Sequence, residues 1–200
     1  MMSAVSKYRM SFSVGGLMLN ESLMIAQVYQ PGEPWTCARE RLLAQRTSSL
    51  PKLASQTRAL REVYDRIGNL SIAERHYLLA EADQAEQKAM IWLAVCRTYR
   101  FVHEFAVEVI NERYQSWRLD LGHEVFDRFF ADKAECNQSL TELSPSTCAK
   151  LRQILFRILR ESGLRSEDGR IQPVWLSGGM KRLIKESNPA DLRIFPGNGG

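Results

Sequence analysis

The sequence predicts a mostly α-helical protein: a helical bundle with an N-terminal helix-turn-helix-like part and a C-terminal winged-helix-like part that ends in a short hairpin. Three observations predict it. Apolar residues recur at three- and four-residue spacing along most of the 200-residue chain. Capping residues and glycine stops frame those stretches. From Ser144 to Leu176 the order is cationic amphipathic helix, glycine stop, basic hairpin.

Residues 1–19 read as an extended arm, with Gly15-Gly16 as a turn or a point of close approach. A helix follows from Asn20 to Gln30, then a turn at Pro31-Gly32-Glu33-Pro34, then a helix over Trp35–Gln45. Arg46-Thr47-Ser48-Ser49 is a polar break. Leu50–Ile67 reads as a long helix with Pro51 in its first turn and Gly68 after its end. Helix, break of four residues and helix is the spacing of a helix-turn-helix. In that reading Arg46, Thr47, Ser49, Lys52 and Gln56 face DNA. Glu62 and Asp65 on the same helix leave a plain helical hairpin as the other reading.

Ser71 and Glu74 form a capping-box pattern that starts the next helix. Trp92, Val95, Cys96 and Tyr99 form one apolar stripe; Val102, Phe105, Ala106, Val109 and Ile110 form another. Leu93 and Ala94 make the first stripe apolar nearly all round, which predicts a central position. Gly122–Glu135 reads as a helix with Val125, Phe126, Phe129 and Phe130 inward. Ser144 caps and Pro145 opens the basic helix, whose buried face is Cys148, Leu151, Ile154, Leu155, Ile158 and Leu159. Gly163 stops it, and Asp168-Gly169 is a candidate tight turn. Ser177–Glu186 reads as a short last helix. The predicted units are 1–68, 69–140 and 141–188, with 189–200 as a flexible tail.

The net charge is +4. Residues 1–68 carry +4, residues 69–140 carry −4 and residues 141–200 carry +4, so two basic ends flank an acidic middle. That distribution suits a polyanion touching both ends. No apolar run approaches the roughly 20 residues a membrane span needs, and no signal-peptide pattern is visible, so a cytoplasmic location is expected. Cys37, Cys96, Cys136 and Cys148 form no C-x-x-C pair, and His76, His103 and His123 are scattered; no metal site is expected. The phosphate-binding and nucleophile motifs of common enzymes are missing, so the chain is expected to be non-catalytic and free of cofactors. Glu104, Glu108 and Glu112 share a helix face and need cations, for which Arg97, Arg100 and Arg113 are near in sequence.

Binding remains. On the C-terminal helix and hairpin, Lys150, Arg157, Arg160, Arg165 and Arg170 supply cations for phosphates. Ser146 and Gln153 add hydrogen bonds near the helix start. Three stretches, Ser11–Ser22, Trp92–Glu108 and Leu151–Leu164, together with Arg46-Thr47 and Phe126–Lys133, resemble the BrxA family of bacteriophage-exclusion (BREX) defence systems. The resemblance covers roughly residues 10–185. Val14 stands where the family pattern has a small or polar residue, and the tail beyond Asn188 has no counterpart. The resemblance implies an all-helical protein that binds double-stranded DNA with little sequence specificity beside a methyltransferase and other BREX proteins. A likeness of some members to the antitermination factor NusB leaves RNA as an alternative. An adaptor that docks other defence subunits is the remaining one.

Overall fold

The computed structural model describes residues 7–13, 15–45 and 57–198. Arg46, Thr47, Ser49, Lys52 and Gln56, and with them the break of the expected helix-turn-helix, lie outside the described residues. The described chain is mostly helical, and its only β pairing is two isolated bridges.

The helices follow the capping signals. Helix α1 (Leu19–Val28) and α2 (Trp35–Gln45) flank the Pro31–Pro34 turn, and α3 (Thr57–Gly68) carries the expected stripe of Leu60, Val63, Tyr64 and Ile67 to the core. Ser71 opens α4 (Ile72–Ala80) with a complete capping box: the Glu74 amide donates to Ser71 Oγ, and the Ser71 amide donates to the Glu74 carboxylate at 2.7 Å. Helix α5 (Gln84–Thr98) is the centre. Ala89 to Cys96 are buried without interruption, because α1, α3 and α4 pack around it. That is why its apolar residues do not form a one-sided stripe.

Tyr99 interrupts the two apolar helices with an extended conformation (φ −120°, ψ 96°). Helix α6 (Arg100–Glu104) then runs into a π-helical segment, Phe105–Asn111, and on into α7 (Glu112–Gln115). Nothing in the apolar spacing predicts the wider π turn. It brings Phe105 into edge contact with Phe129 at 5.3 Å, while Phe101 meets Phe126, Phe129 and Phe130. These phenylalanines come from α8 (His123–Glu135), which α9 (Gln138–Thr141) links to α10 (Pro145–Glu161). Helix α11 (Gly178–Ser187) leads to a 3₁₀ segment, Pro189–Ile194.

One expectation is corrected. Residues 189–198 do not form a flexible tail. Leu192, Ile194 and Phe195 are buried, and the Trp92 indole donates to the Ile194 carbonyl at 3.2 Å. Proline and glycine mark turns here, but the apolar residues between them have a core to enter. The described parts of the predicted units share a core. One contiguous cluster runs from Tyr8 and Phe12 in the N-terminal arm, through α5, to Leu159 and Phe195.

Arg97, in the last turn of α5, ties the ends of four segments together. Its Nε donates to Asp191 at 2.8 Å. Its two Nη groups donate to the Glu74 carboxylate at 2.7 and 2.9 Å, to the Asn69 carbonyl at 3.1 Å and to Ser187 Oγ at 3.2 Å. Burial pushes the Glu74 carboxyl up, but the hydrogen bonds from Arg97 and Ser71 outweigh it and hold it below the usual carboxylate range.

Arg97→Met should cost about 3–5 kcal/mol, because the fully buried Glu74 carboxylate loses its counter-charge; denaturant unfolding measures this. A depressed folded-state pKa contributes stability that is complete above the unfolded value and is lost as pH falls through the folded one. The thermal midpoint should therefore be flat near neutrality and fall below roughly pH 4. Glu74→Gln should make that acid limb shallower without removing it, since Glu104 is also held low: burial raises it, but Lys133 and Tyr8 prevail. Phe195→Ala should destabilise by about 3–5 kcal/mol if the last residues are core, and by almost nothing if they fray.

Candidate functional site

The basic helix α10 is built as its sequence implies. Ser144 Oγ accepts from the Thr147 amide at 3.2 Å, Pro145 takes the first helical position, and Gly163 turns the chain at φ +79°. Leu151, Ile154, Leu155, Ile158 and Leu159 are buried. Cys148 is only half-buried, so the inward stripe begins one turn later than expected. Phe156 is also buried: the His123 ring meets it edge-on at 4.8 Å, and Arg165 lies over it at 5.1 Å.

The opposite face presents Ser146, Lys150, Gln153, Arg157 and Arg160, all exposed. Three- and four-residue steps stack them in one row. Lys150 donates to Gln153 Oε1 at 3.1 Å. Arg157 pairs with Glu161 at 2.7 Å and Arg160 approaches Glu167 at 3.7 Å. Both arginines remain about half exposed, so these are surface pairs that a competing anion can open.

The hairpin after Gly163 is of minimal length. Arg165 bridges Ile171, and Gly169 takes φ +88° in the turn. A third segment joins it: the Ile171 amide donates to the Leu119 carbonyl at 2.8 Å, the Leu121 amide donates to the Gly169 carbonyl at 2.9 Å, and Asp120 bridges Arg170. Arg170 is exposed at the bend. Arg165, the other expected phosphate contact of the hairpin, is turned inward. Its Nε donates to the Leu121 carbonyl at 3.1 Å while its guanidinium covers Phe156. It holds the hairpin to α10 rather than facing solvent.

One junction escapes the residue pattern. Glu161 accepts from the Leu17 amide at 2.6 Å, so the α10 surface row ends against the Gly15-Gly16-Leu17 turn of the N-terminal arm. A β-carbon at Gly16 would meet the ends of the Arg157 and Glu161 side chains and displace them. Gly15-Gly16, read as a turn or a point of close approach, is its trace in the sequence; the partner, Glu161, is not. Trp117 and Trp175, 86% and 81% exposed, also went unnoticed; Trp117 sits at φ +57°.

The acidic face resolves into ion pairs, with Arg100 among the expected cations and Lys133 and Arg118 in place of Arg97 and Arg113. Lys133 reaches both Glu104 and Glu108 at 2.8 Å, Arg100 pairs with Glu104, and Arg118 approaches Glu112. Among the described residues no group of histidine, cysteine and carboxylate side chains is placed to hold a metal ion. No helix there is long and apolar enough to cross a membrane.

The comparisons place this architecture. The BrxA family model matches residues 6–188. This chain belongs to the BrxA family. It is similar to a protein of Bacillus cereus (strain H3081.97) named BREX protein BrxA, with 30% identity over 97 residues, or 46% of this chain and 48% of that one. The match thus spans about half the length of the curated relative. The fold resembles that of an uncharacterized protein from Magnetospirillum magneticum, with a TM-score of 0.80 over 95% of this chain and 99% of that one, at 20% identity. Like that structure, this BrxA-family chain keeps its fold with little sequence in common.

Arg165→Ala should lower stability by about 1–2 kcal/mol through the lost carbonyl bond and ring contact. Arg170→Ala should stay within about 0.5 kcal/mol. Chemical denaturation of both variants separates the inward arginine from the outward one.

Proposed function

We propose that this BrxA-family chain is a non-catalytic, double-stranded-DNA-binding accessory protein of a BREX phage-defence system, with little sequence specificity. The row Ser146, Lys150, Gln153, Arg157, Arg160, continued by Arg170 on the hairpin, carries the reading. The order of elements supports it: helix, short paired segment at Leu119–Leu121, helix α8, the short α9, helix α10, one-bridge hairpin. That is the order of a winged helix, in which the last helix enters the major groove and the hairpin rests on the backbone. A groove about 12 Å wide admits one helix, and the α10 face outside the core is the part free to enter. Arginine and lysine reach phosphates there, and Gln153 is the side chain suited to a base edge.

Fluorescence anisotropy with a random duplex at two salt concentrations tests this. Lys150, Arg157, Arg160 and Arg170 set a limiting log–log slope of about −3.6. Arg157→Glu with Arg160→Glu should abolish binding. Because Arg157 also touches the Leu17 junction, Lys150→Glu with Arg170→Glu is the cleaner pair: neither residue holds an ion pair among the described residues, and the fold should be unaffected. Salt-independent affinity, or full binding by both folded variants, sinks the proposal. An equal length of duplex RNA as competitor separates DNA from RNA.

A second reading, a docking adaptor for other defence subunits, is favoured by one observation. Between α4 and α11 runs an apolar groove in which Ile72 is 74% exposed beside Leu183. Co-purification of defence subunits that is lost in Ile72→Glu, with DNA binding intact, supports that role.

A further inference from the structure

The π-helical segment Phe105–Asn111 forms one wall of a cleft of about 540 Å³, away from the row on α10. Four arginines from separate parts of the chain reach it: Arg113 and Arg118 around the end of α7, Arg128 on α8 and Arg193 on the 3₁₀ segment. Arg113 spends its donors on the Asp120 carbonyl, and Arg118 approaches Glu112 at 3.6 Å. Arg128 and Arg193 are exposed and hold no ion pair among the described residues. The cleft also contains Glu108, Glu112 and Asp132. Lys133 pairs with Glu108 and Arg118 offsets Glu112, which leaves Asp132 against Arg113, Arg128 and Arg193, so the cationic side prevails.

A second observation points to a ligand. Asn111, the last residue of the π turn, is only 4% exposed and lines the cleft, yet its side-chain amide has no hydrogen-bond partner among the described residues. Its amide atoms are not sealed from solvent, so they are open to bond a group that enters the cleft. A single extra residue in a helix, which is what a π turn amounts to, re-aims side chains and recurs at functional sites. Here it sets Asn111 at the floor, with Val107, Val109 and Phe129 beside it.

We propose that this cleft binds a mononucleotide-sized organic phosphate. The phosphate groups lie between Arg128 and Arg193, whose planar forks match phosphate oxygens. Asn111 bonds a polar edge of the ligand, and the apolar wall of Val107, Val109 and Phe129 takes its ring. The volume is large for a bare anion and falls within the range of small-molecule sites. The site is distinct from the DNA-facing row and does not depend on that reading.

The test is calorimetric titration of the full chain with ATP in metal-free buffer, with pyrophosphate as the probe that lacks a ring and a short duplex as the probe that supplies backbone phosphate. ATP should bind saturably and pyrophosphate more weakly. Arg128→Glu with Arg193→Glu should weaken ATP about tenfold or more, and so should Asn111→Asp. The arginine pair is exposed, so it keeps the test alive should Asn111→Asp fail to fold. Lys150→Glu with Arg170→Glu should leave ATP binding unchanged. The proposal is overturned by no saturable ATP binding, by equal binding in the folded arginine variant, or by duplex DNA being the only probe whose binding that variant loses.

Discussion

One guanidinium fixes how the helices close on α5. Arg97 has five N–H donors in a rigid fork, and all five are used, on α4, the 3₁₀ segment, the end of α11 and the residue after α3. A lysine could not do this, since its three donors have no fixed plane. The site is costly to build, because Glu74 and Asp191 are almost completely removed from water. Its geometry offsets that cost only if all four segments are in place together. The clasp therefore couples the segments it joins: residues 187–191 cannot leave without breaking two of the Arg97 bonds, and α4 cannot tilt without breaking two others. Those same constraints seat Arg193 next to the π-helical segment, two residues after Asp191.

The N-terminal arm is held by similar logic on the other side of α5. Glu62 accepts from Tyr99, Arg9 and Ser11, and Tyr8 donates to Glu104 at 2.5 Å. Phe12 is wholly buried between these polar ties, against Tyr99 and Phe101. Arg66, 1% exposed, donates to the Gly16 carbonyl at 2.9 Å and lies over the Tyr99 ring at 5.5 Å. Apolar burial sets the depth of the arm and the carboxylates set its register. The Gly15-Gly16-Leu17 turn thereby reaches Glu161, so the exposed row of α10 is positioned partly from the far end of the sequence.

Helix identity was legible because caps and spacing act locally. Ser71 with Glu74, Ser144 with Pro145, and Gly163 each place an element end within a residue or two. The row on α10 was legible for the same reason: a one-sided stripe determines which residues remain outside. What was not legible depends on partners distant in sequence. Arg165 and Arg170 look alike in the sequence, and only the packing of Phe156 turns one inward. Residues 189–198 carry proline and glycine, which read as fraying, while the buried groove that takes Phe195 is formed by other helices. The π turn leaves no periodic trace because seven residues are too few to shift an apolar stripe visibly.

Charge by thirds of the sequence also misleads until the pairs are drawn. The acidic middle does not stand apart from the basic ends. Its carboxylates draw cations from within it and from the C-terminal end: Asp127 takes Arg152 at 2.5 Å, while Arg97 of the middle takes Asp191 of the end. In the N-terminal part Glu62 and Asp65 absorb Arg9, and Glu33 absorbs Arg41. After this exchange, Lys150, Arg170, Lys181, Arg182, Lys185 and Arg193 of the last third hold no ion pair among the described residues, but neither do Lys7, Arg39, Arg58, Arg61 and Arg75 nearer the start, nor Lys88, Arg113 and Arg128 of the middle. Cations without an ion pair therefore occur in every third of the chain. The field a polyanion meets is set by where those side chains stand on the surface rather than by the net charge of each segment, and salt acts most directly on the exposed ones.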